Sequence, residues 1–218
     1  MPKTKTLVKI CGITSTDQAL QVAELGTNAI GIISVDESPR YISPEKKKEI
    51  FKSLKVLYPN IERVSVVKNT PIDSIIKNFL GEPNETIIQL HGDEDIDYCK
   101  KFKQKIPNVG LWKAFRIKNK QDLEKIKIYE NYVDAILLDS WNKKTYGGSG
   151  KRIEQKYLED LSFSKPWWLA GGVSNEWIDE ISRKIKPDGI DISSSVETCP
   201  GIKDIDQVDS ILKELRKF

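Results

Sequence analysis

The sequence predicts a (β/α)8 TIM barrel, an α/β fold in a single domain spanning residues 1–218. Three observations carry that prediction. Eight short runs rich in β-branched or apolar residues recur along the chain, stretches with helical spacing separate them, and no linker or low-complexity segment interrupts the pattern. At 218 residues the chain is also long enough to bury one sizeable core.

In order, the runs are Leu7 to Ile10, Ala29 to Ile33, Val64 to Val67, Thr86 to Leu90, Gly110 to Phe115, Val133 to Leu138, Trp167 to Ala170 and Gly189 to Ile192. Between them, Ile72, Ile75, Ile76 and Phe79 recur at i, i+3, i+4 and i+7. Ile205, Val208, Ile211, Leu212 and Leu215 mark one face of a final helix. Ser43 before Pro44 places a capping hydroxyl ahead of a first-turn proline, and Ser174 is placed to cap the helix that carries Trp177, Ile178 and Ile181. The longest loops fall at Ser34 to Ser43 and Ser140 to Arg152, after strands two and six, on the face where a barrel keeps its site.

Composition narrows the function classes. Hydrophobic residues at 39% and charged residues at 31% describe an ordinary soluble protein. A net charge of +3, from 35 Lys and Arg against 32 Asp and Glu, lacks the global field of a nucleic-acid binder. Lysine-rich stretches such as Glu45-Lys46-Lys47-Lys48-Glu49 read as solvated helix faces. Cys11, Cys99 and Cys199 are well separated, which argues against a disulfide framework or zinc site and fits a reducing compartment. The amino terminus carries no apolar signal core and no run is long enough to span a membrane, so a cytoplasmic location is expected.

Strand side chains alternate with period two. Lys9 and Cys11 therefore share a face, as do Gln89 and His91, Leu137 and Asp139, and Asp191 and Ser193. Polar groups at strand ends are easier to place in a barrel mouth, facing a polar ligand, than against helices. Cys11, directly before Gly12, is a candidate base if a cation such as Lys9 or a helix amino terminus assists it; otherwise it is a small buried hydrophobe. Asp139 closes an apolar run, where desolvation favours the protonated carboxyl that a general acid needs; a cap for the next turn is the competing reading. His91, the single histidine, is assigned to the mouth with its role open between orienting substrate and hydrogen bonding.

Gly171-Gly172 after strand seven and Ser194-Ser195 after strand eight are small residues at the turns where such barrels bind phosphate, although paired glycines also make plain tight turns. Gly147 to Lys151 resembles a nucleotide loop but fails its pattern, with Thr145 at the first glycine position and Arg152 after Lys151. A lid over the site or a plain surface loop are the two readings left for it.

Seven ordered motifs, Lys9-Ile-Cys-Gly-Ile-Thr14, Ser38-Pro-Arg-Tyr-Ile-Ser43, Gln89-Leu-His-Gly-Asp-Glu94, Leu137-Leu-Asp-Ser140, Tyr146-Gly-Gly-Ser-Gly-Lys151, Leu169-Ala-Gly-Gly-Val173 and Asp191-Ile-Ser-Ser-Ser-Val-Glu197 with Pro200-Gly-Ile-Lys203, cover nearly the whole chain. In them the sequence resembles the phosphoribosylanthranilate isomerase family of tryptophan biosynthesis. The resemblance implies an Amadori rearrangement with Cys11 as general base and Asp139 as general acid. It implies substrate binding by Arg40 at the anthranilate carboxylate and phosphate binding by Gly171, Gly172, Ser194 and Ser195; His91 and Lys9 are assigned to substrate binding from their positions on the mouth-facing side of their strands. It calls for no cofactor and no metal, and for a small phosphorylated substrate acted on by a monomer or weak homodimer, with no nucleic acid and no membrane as partner. Two departures from the family pattern stand out: Ser195 where glycine is common, and Ile32-Ile33 where the second strand usually ends in aromatic residues.

Two other readings compete. One is a neighbouring sugar-phosphate reaction such as epimerisation, for which a metal held by several histidines is wanted and one histidine is too few. The other is a non-catalytic binder of phosphate ligands or nucleic acid, which has no need for a thiol and a carboxyl facing one mouth.

Overall fold

The computed structural model describes residues 6–140 and 152–218, so the glycine-rich segment Gly147 to Lys151 lies outside the described residues. Parallel strands covered on both faces must be apolar on both, which is why the runs above are continuous rather than alternating. They form β1 (Leu7–Cys11), β2 (Ala29–Ile33), β3 (Glu62–Val67), β4 (Ile87–Leu90), β5 (Gly110–Ile117), β6 (Ala135–Ser140), β7 (Trp167–Leu169) and β8 (Gly189–Ile192). The eight pair in parallel in chain order, and β8 returns to β1 with Asp191 opposite Lys9, closing the barrel.

The helices are α1 (Thr16–Glu24), α2 (Pro44–Leu57), α3 (Ile72–Lys77), α4 (Ile96–Lys105), α5 (Lys120–Glu124), α6 (Asn175–Glu180) and α7 (Ile205–Leu215). Ser15, Ser43, Asp95, Asn119 and Asp204 each accept a first-turn backbone N–H, holding the entries of five helices. The final helix buries Val208, Ile211, Leu212 and Leu215 as its spacing predicts.

Three local expectations are corrected. Ser174 occupies the N-cap position of α6 but makes no capping bond; its hydroxyl instead accepts from Arg152 Nη2 at 3.1 Å. In the Ile72 to Phe79 stretch the helix ends at Lys77; Ile75 and Phe79 are buried while Ile76 is exposed. Among the described residues, β6 is followed by a 3-10 turn at Gln155–Tyr157 and no α-helix. Its anchors Ile153, Leu158, Leu161 and Phe163 do not recur at helical spacing, and Asp160 takes a left-handed φ of 58°.

Alternation along the strands sorts the core into two bodies. Outward side chains such as Ile10, Ile32, Leu90, Leu138 and Ile190 join helix residues such as Ile50, Phe51, Phe102 and Ile211 in a shell between sheet and helices. Inward side chains, among them Val64, Val66, Trp112, Leu137 and Trp168, fill the lumen. Each fully buried Ile or Leu in that shell contributes roughly 1.5–3 kcal/mol. No helix among the described residues is long and apolar enough to cross a membrane.

Candidate active site

A cavity of about 510 Å³ opens at the carboxyl ends of the strands. The inward register brings Cys11 to it from β1, His91 from the end of β4 and Asp139 from β6, while Arg40 enters from the long loop between β2 and α2. Gly171, Gly172, Ser194 and Ser195 line it from the loops after β7 and β8. Of the nine expected site residues, Lys9 alone is absent from the lining.

Lys9 sits one inward position below Cys11, is fully buried, and places Nζ 2.9 Å from Asp191 Oδ2. Against the expectation that it lines the site, Lys9 stands outside the cavity wall, two residues closer to the strand's start than Cys11 and paired with Asp191. Its charge survives there. Burial works against the ammonium, and the neighbouring Asp191 carboxylate outweighs it, so the pKa lies above the ordinary lysine value.

Cys11 is only 5% exposed, and burial pushes its thiol pKa above the ordinary value; Lys9 pulls it down by less, and Asp191 adds to the rise. Lys9, the cation named for Cys11 in the sequence, offsets only part of the effect of burial, and the thiol stays above its ordinary value.

Asp139 is buried at the cavity wall. Its Oδ1 accepts from the Ser140 N–H at 2.8 Å, and Oδ2 lies 3.3 Å from His91 Nε2, within reach but not aligned as a hydrogen bond. Gly171 makes this possible: its φ of +85° favours glycine, and a Cβ there would stand 2.8 Å from Asp139 Oδ1 and 2.6 Å from Ser140 Oγ. The loop after β7 thus closes directly over the carboxyl.

Three buried polar atoms of cavity-lining residues have no partner among the described residues: Gln89 Oε1, His91 Nε2 and Asp191 Oδ1. Buried polar atoms without a protein partner are few in folded proteins. The alternation places Gln89 and Asp191 on the mouth-facing side without giving either a task, and sequence alone does not pair Asp191 with Lys9. The wall from the second strand is aliphatic, formed by Ile33 and Val35.

The chain matches the family model described as N-(5'phosphoribosyl)anthranilate (PRA) isomerase over residues 8–214. It is 39% identical to the N-(5'-phosphoribosyl)anthranilate isomerase of Trichodesmium erythraeum, covering 95% of this chain and 96% of that one. Identity to the enzyme of the same name from Crocosphaera subtropica is also 39%, over 97% of this chain and 99% of the relative. The crystal structure of phosphoribosyl anthranilate isomerase from Thermotoga maritima superimposes with a TM-score of 0.86 at 30% identity, covering 98% of this chain and all of that one. A further structure, at TM-score 0.80 and 30% identity over 98% of this chain and 100% of that one, holds reduced 1-(o-carboxyphenylamino)-1-deoxyribulose 5-phosphate. A cavity that presents a thiol, a carboxyl and a guanidinium at the mouth of a closed barrel thus coincides with a full-length match, and the chain belongs to the N-(5'-phosphoribosyl)anthranilate isomerase family.

Proposed function

We propose that this protein converts N-(5-phosphoribosyl)anthranilate to 1-(2-carboxyphenylamino)-1-deoxyribulose 5-phosphate, the Amadori step of L-tryptophan biosynthesis. The observation that carries the reading is the placement of Cys11 and Asp139 at one cavity from β1 and β6, strands three positions apart around the barrel. An aldose-to-ketose isomerisation needs a donor and an acceptor of protons on two sides of one sugar.

In this reading the Asp139 carboxyl gives its proton to the furanose ring oxygen. The bond from that oxygen to the first sugar carbon breaks, and the nitrogen lone pair closes a protonated Schiff base. The Cys11 thiolate then removes the proton on the second carbon; the freed electron pair forms the carbon–carbon double bond and neutralises the nitrogen. The resulting enolamine tautomerises to the ketone, and no atom is gained or lost. The positive charge of the Schiff base lies next to the carbon whose proton Cys11 removes, so it favours the thiolate at the moment it is needed and offsets the effect of burial.

Binding groups follow from the cavity wall. Arg40 takes the anthranilate carboxylate through its planar fork. Gly171, Gly172, Ser194 and Ser195 take the phosphate through small-residue turns. Gln89, His91 and Asp191 offer their unpartnered atoms to the ribose hydroxyls. The working unit in this reading is a monomer or a weak homodimer.

The test is an assay with freshly made phosphoribosylanthranilate, following the loss of substrate fluorescence and identifying the ketose by mass-neutral chromatographic shift. Turnover with no added metal or cofactor is expected. A chain that binds inorganic phosphate in this cavity yet leaves the substrate unchanged would establish the binding-protein reading instead.

A further inference from the structure

The motif after β8, Glu197 with Pro200-Gly-Ile-Lys203, has no part in the chemistry above. It folds as a small antiparallel hairpin, β9 (Glu197–Cys199) and β10 (Ile202–Lys203), beside the cavity. Its carboxylate grips Arg40 on two nitrogens: Nε lies 2.9 Å from Glu197 Oε1 and 3.1 Å from Oε2, and Nη2 lies 2.6 Å from Oε2. Paired bonds of this kind fix the plane of a guanidinium as well as its position.

Glu197 is itself held. Its Oε1 accepts from Lys203 Nζ at 2.7 Å and from the Gly201 N–H at 3.3 Å, and Lys203 Nζ also donates to the Ser193 carbonyl at 3.1 Å. The Glu197 and Lys203 side chains are 4% and 0% exposed. Below Arg40, the turn at Gly12 is glycine for a second reason besides its φ of +85°: a Cβ there would stand 2.7 Å from Arg40 Cδ. Two cations share one carboxylate, so the cluster keeps a surplus positive charge. Of the three residues only Arg40 lines the cavity, and its Nη1 takes part in none of these bonds.

We propose that Glu197 is the positioning and specificity-determining residue for the aryl end of the substrate, locking Arg40 so that its remaining edge meets the ring carboxylate. Lys203 holds Glu197 and restores the positive charge that Glu197 alone would cancel. The inference rests on the reading of Arg40 as the carboxylate contact. Charge states agree with it: burial raises the Glu197 pKa, but the bonds from Arg40 and Lys203 outweigh that and hold it below the ordinary carboxylate value.

The alternative is a strap that merely staples the loop after β2 to the loop after β8. Steady-state kinetics of Glu197→Gln, Arg40→Ala and the double variant separate the two, with inorganic phosphate as competitive inhibitor and thermal unfolding as controls. Glu197→Gln keeps the shape but loses the charge and one acceptor. It is expected to raise KM for phosphoribosylanthranilate about tenfold, the scale of one charge-assisted hydrogen bond, with kcat within about threefold. The inhibition constant of phosphate stays at the wild-type value, and the double variant is no worse than Arg40→Ala. An analogue lacking the ring carboxylate is processed alike with and without the Glu197 change. Equal losses in KM, kcat and phosphate binding, or additive losses in the double variant, overturn the proposal. An unchanged KM in Glu197→Gln beside a raised KM in Arg40→Ala overturns it while leaving Arg40's role standing. An unchanged KM in Arg40→Ala removes both. If Glu197→Gln fails to fold, Glu197→Asp, which keeps the charge and shortens the reach, must show the same KM-only loss, and its absence overturns the proposal.

Discussion

The lumen of this barrel has two unlike halves. On the side of β8, β1 and β2 it holds a buried ion pair, Lys9 with Asp191, capped by Cys11. On the side of β5, β6 and β7 it holds hydrocarbon, with Trp112 and Trp168 at a centroid separation of 4.6 Å beneath and beside Leu137. Asp139 stands above the apolar half and Cys11 above the charged one. The proposed base and acid are therefore served differently: the thiol has a cation one layer down, and the carboxyl has apolar packing below with contacts, among the described residues, from Ser140, His91 and the Gly171 turn. The charged half tunes a proton; the apolar half fixes a position.

The largest effect that can break this comparison is in turnover. Cys11→Ala and Asp139→Asn should each lower kcat by about 10² to 10⁴, the usual contribution of a positioned acid or base. Circular dichroism and phosphate inhibition should stay at wild-type values in both. Near-normal turnover in either variant removes that residue from the chemistry.

Stability comes next and distinguishes the halves. Trp168→Ala empties part of the apolar half and should cost about 3–5 kcal/mol in denaturant unfolding. Lys9→Met strands the Asp191 carboxylate and should cost about as much, roughly 3–5 kcal/mol. The pair differ in repair. Adding Asp191→Asn to Lys9→Met removes the stranded charge and should return most of the stability, because a neutral, well-packed pair is often as stable as a buried ion pair. Turnover should stay low in the double variant, since Cys11 still lacks its cation. Recovery of both would reduce Lys9 to a packing role.

The fold was legible in the sequence because parallel strands must be apolar on both faces, and runs such as Ala135 to Leu138 admit little else. Cys11, His91 and Asp139 were legible because a polar side chain at a strand's end has one comfortable direction. Partners were not. Asp191 meets Lys9 only because β8 closes on β1, and Glu197 meets Arg40 across 157 positions of sequence. Lys9 was misplaced for a related reason: period two gives the face a residue is on and says nothing of its depth. The 3-10 turn in place of an α-helix among the described residues after β6 shows the same limit, since apolar residues in sequence there serve as separate anchors rather than a helical stripe.

A smaller effect is expected from steric crowding within the charged half. Gly31 faces the lumen, and a Cβ there would stand 2.6 Å from Cys11 Sγ and 2.9 Å from Lys9 Cε. Gly31→Ala should cost about 1–3 kcal/mol by overpacking and displace the sulfur, lowering kcat more than KM. An unchanged kcat would mean that the thiol tolerates movement the proposed geometry does not allow.

The finest distinction is the sign of a titration. Burial and Asp191 raise the Cys11 pKa above the ordinary 9.0 while Lys9 lowers it. Alkylation of Cys11 in the free protein should therefore reach half its limiting rate at a pH above that value. Lys9→Met removes the lowering influence and should move the midpoint further up, whereas Asp191→Asn removes a raising one and should move it down. Stability follows with a definite sign. The folded barrel retains a thiol proton that the unfolded chain gives up first, so this contribution is fully present below the ordinary value and is lost as pH rises through the folded one. Cys11→Ser should flatten that alkaline loss. Opposite shifts in the two charge variants tie the reactivity of the sulfur to the ion pair beneath it, and shifts of the same sign would assign it to burial alone.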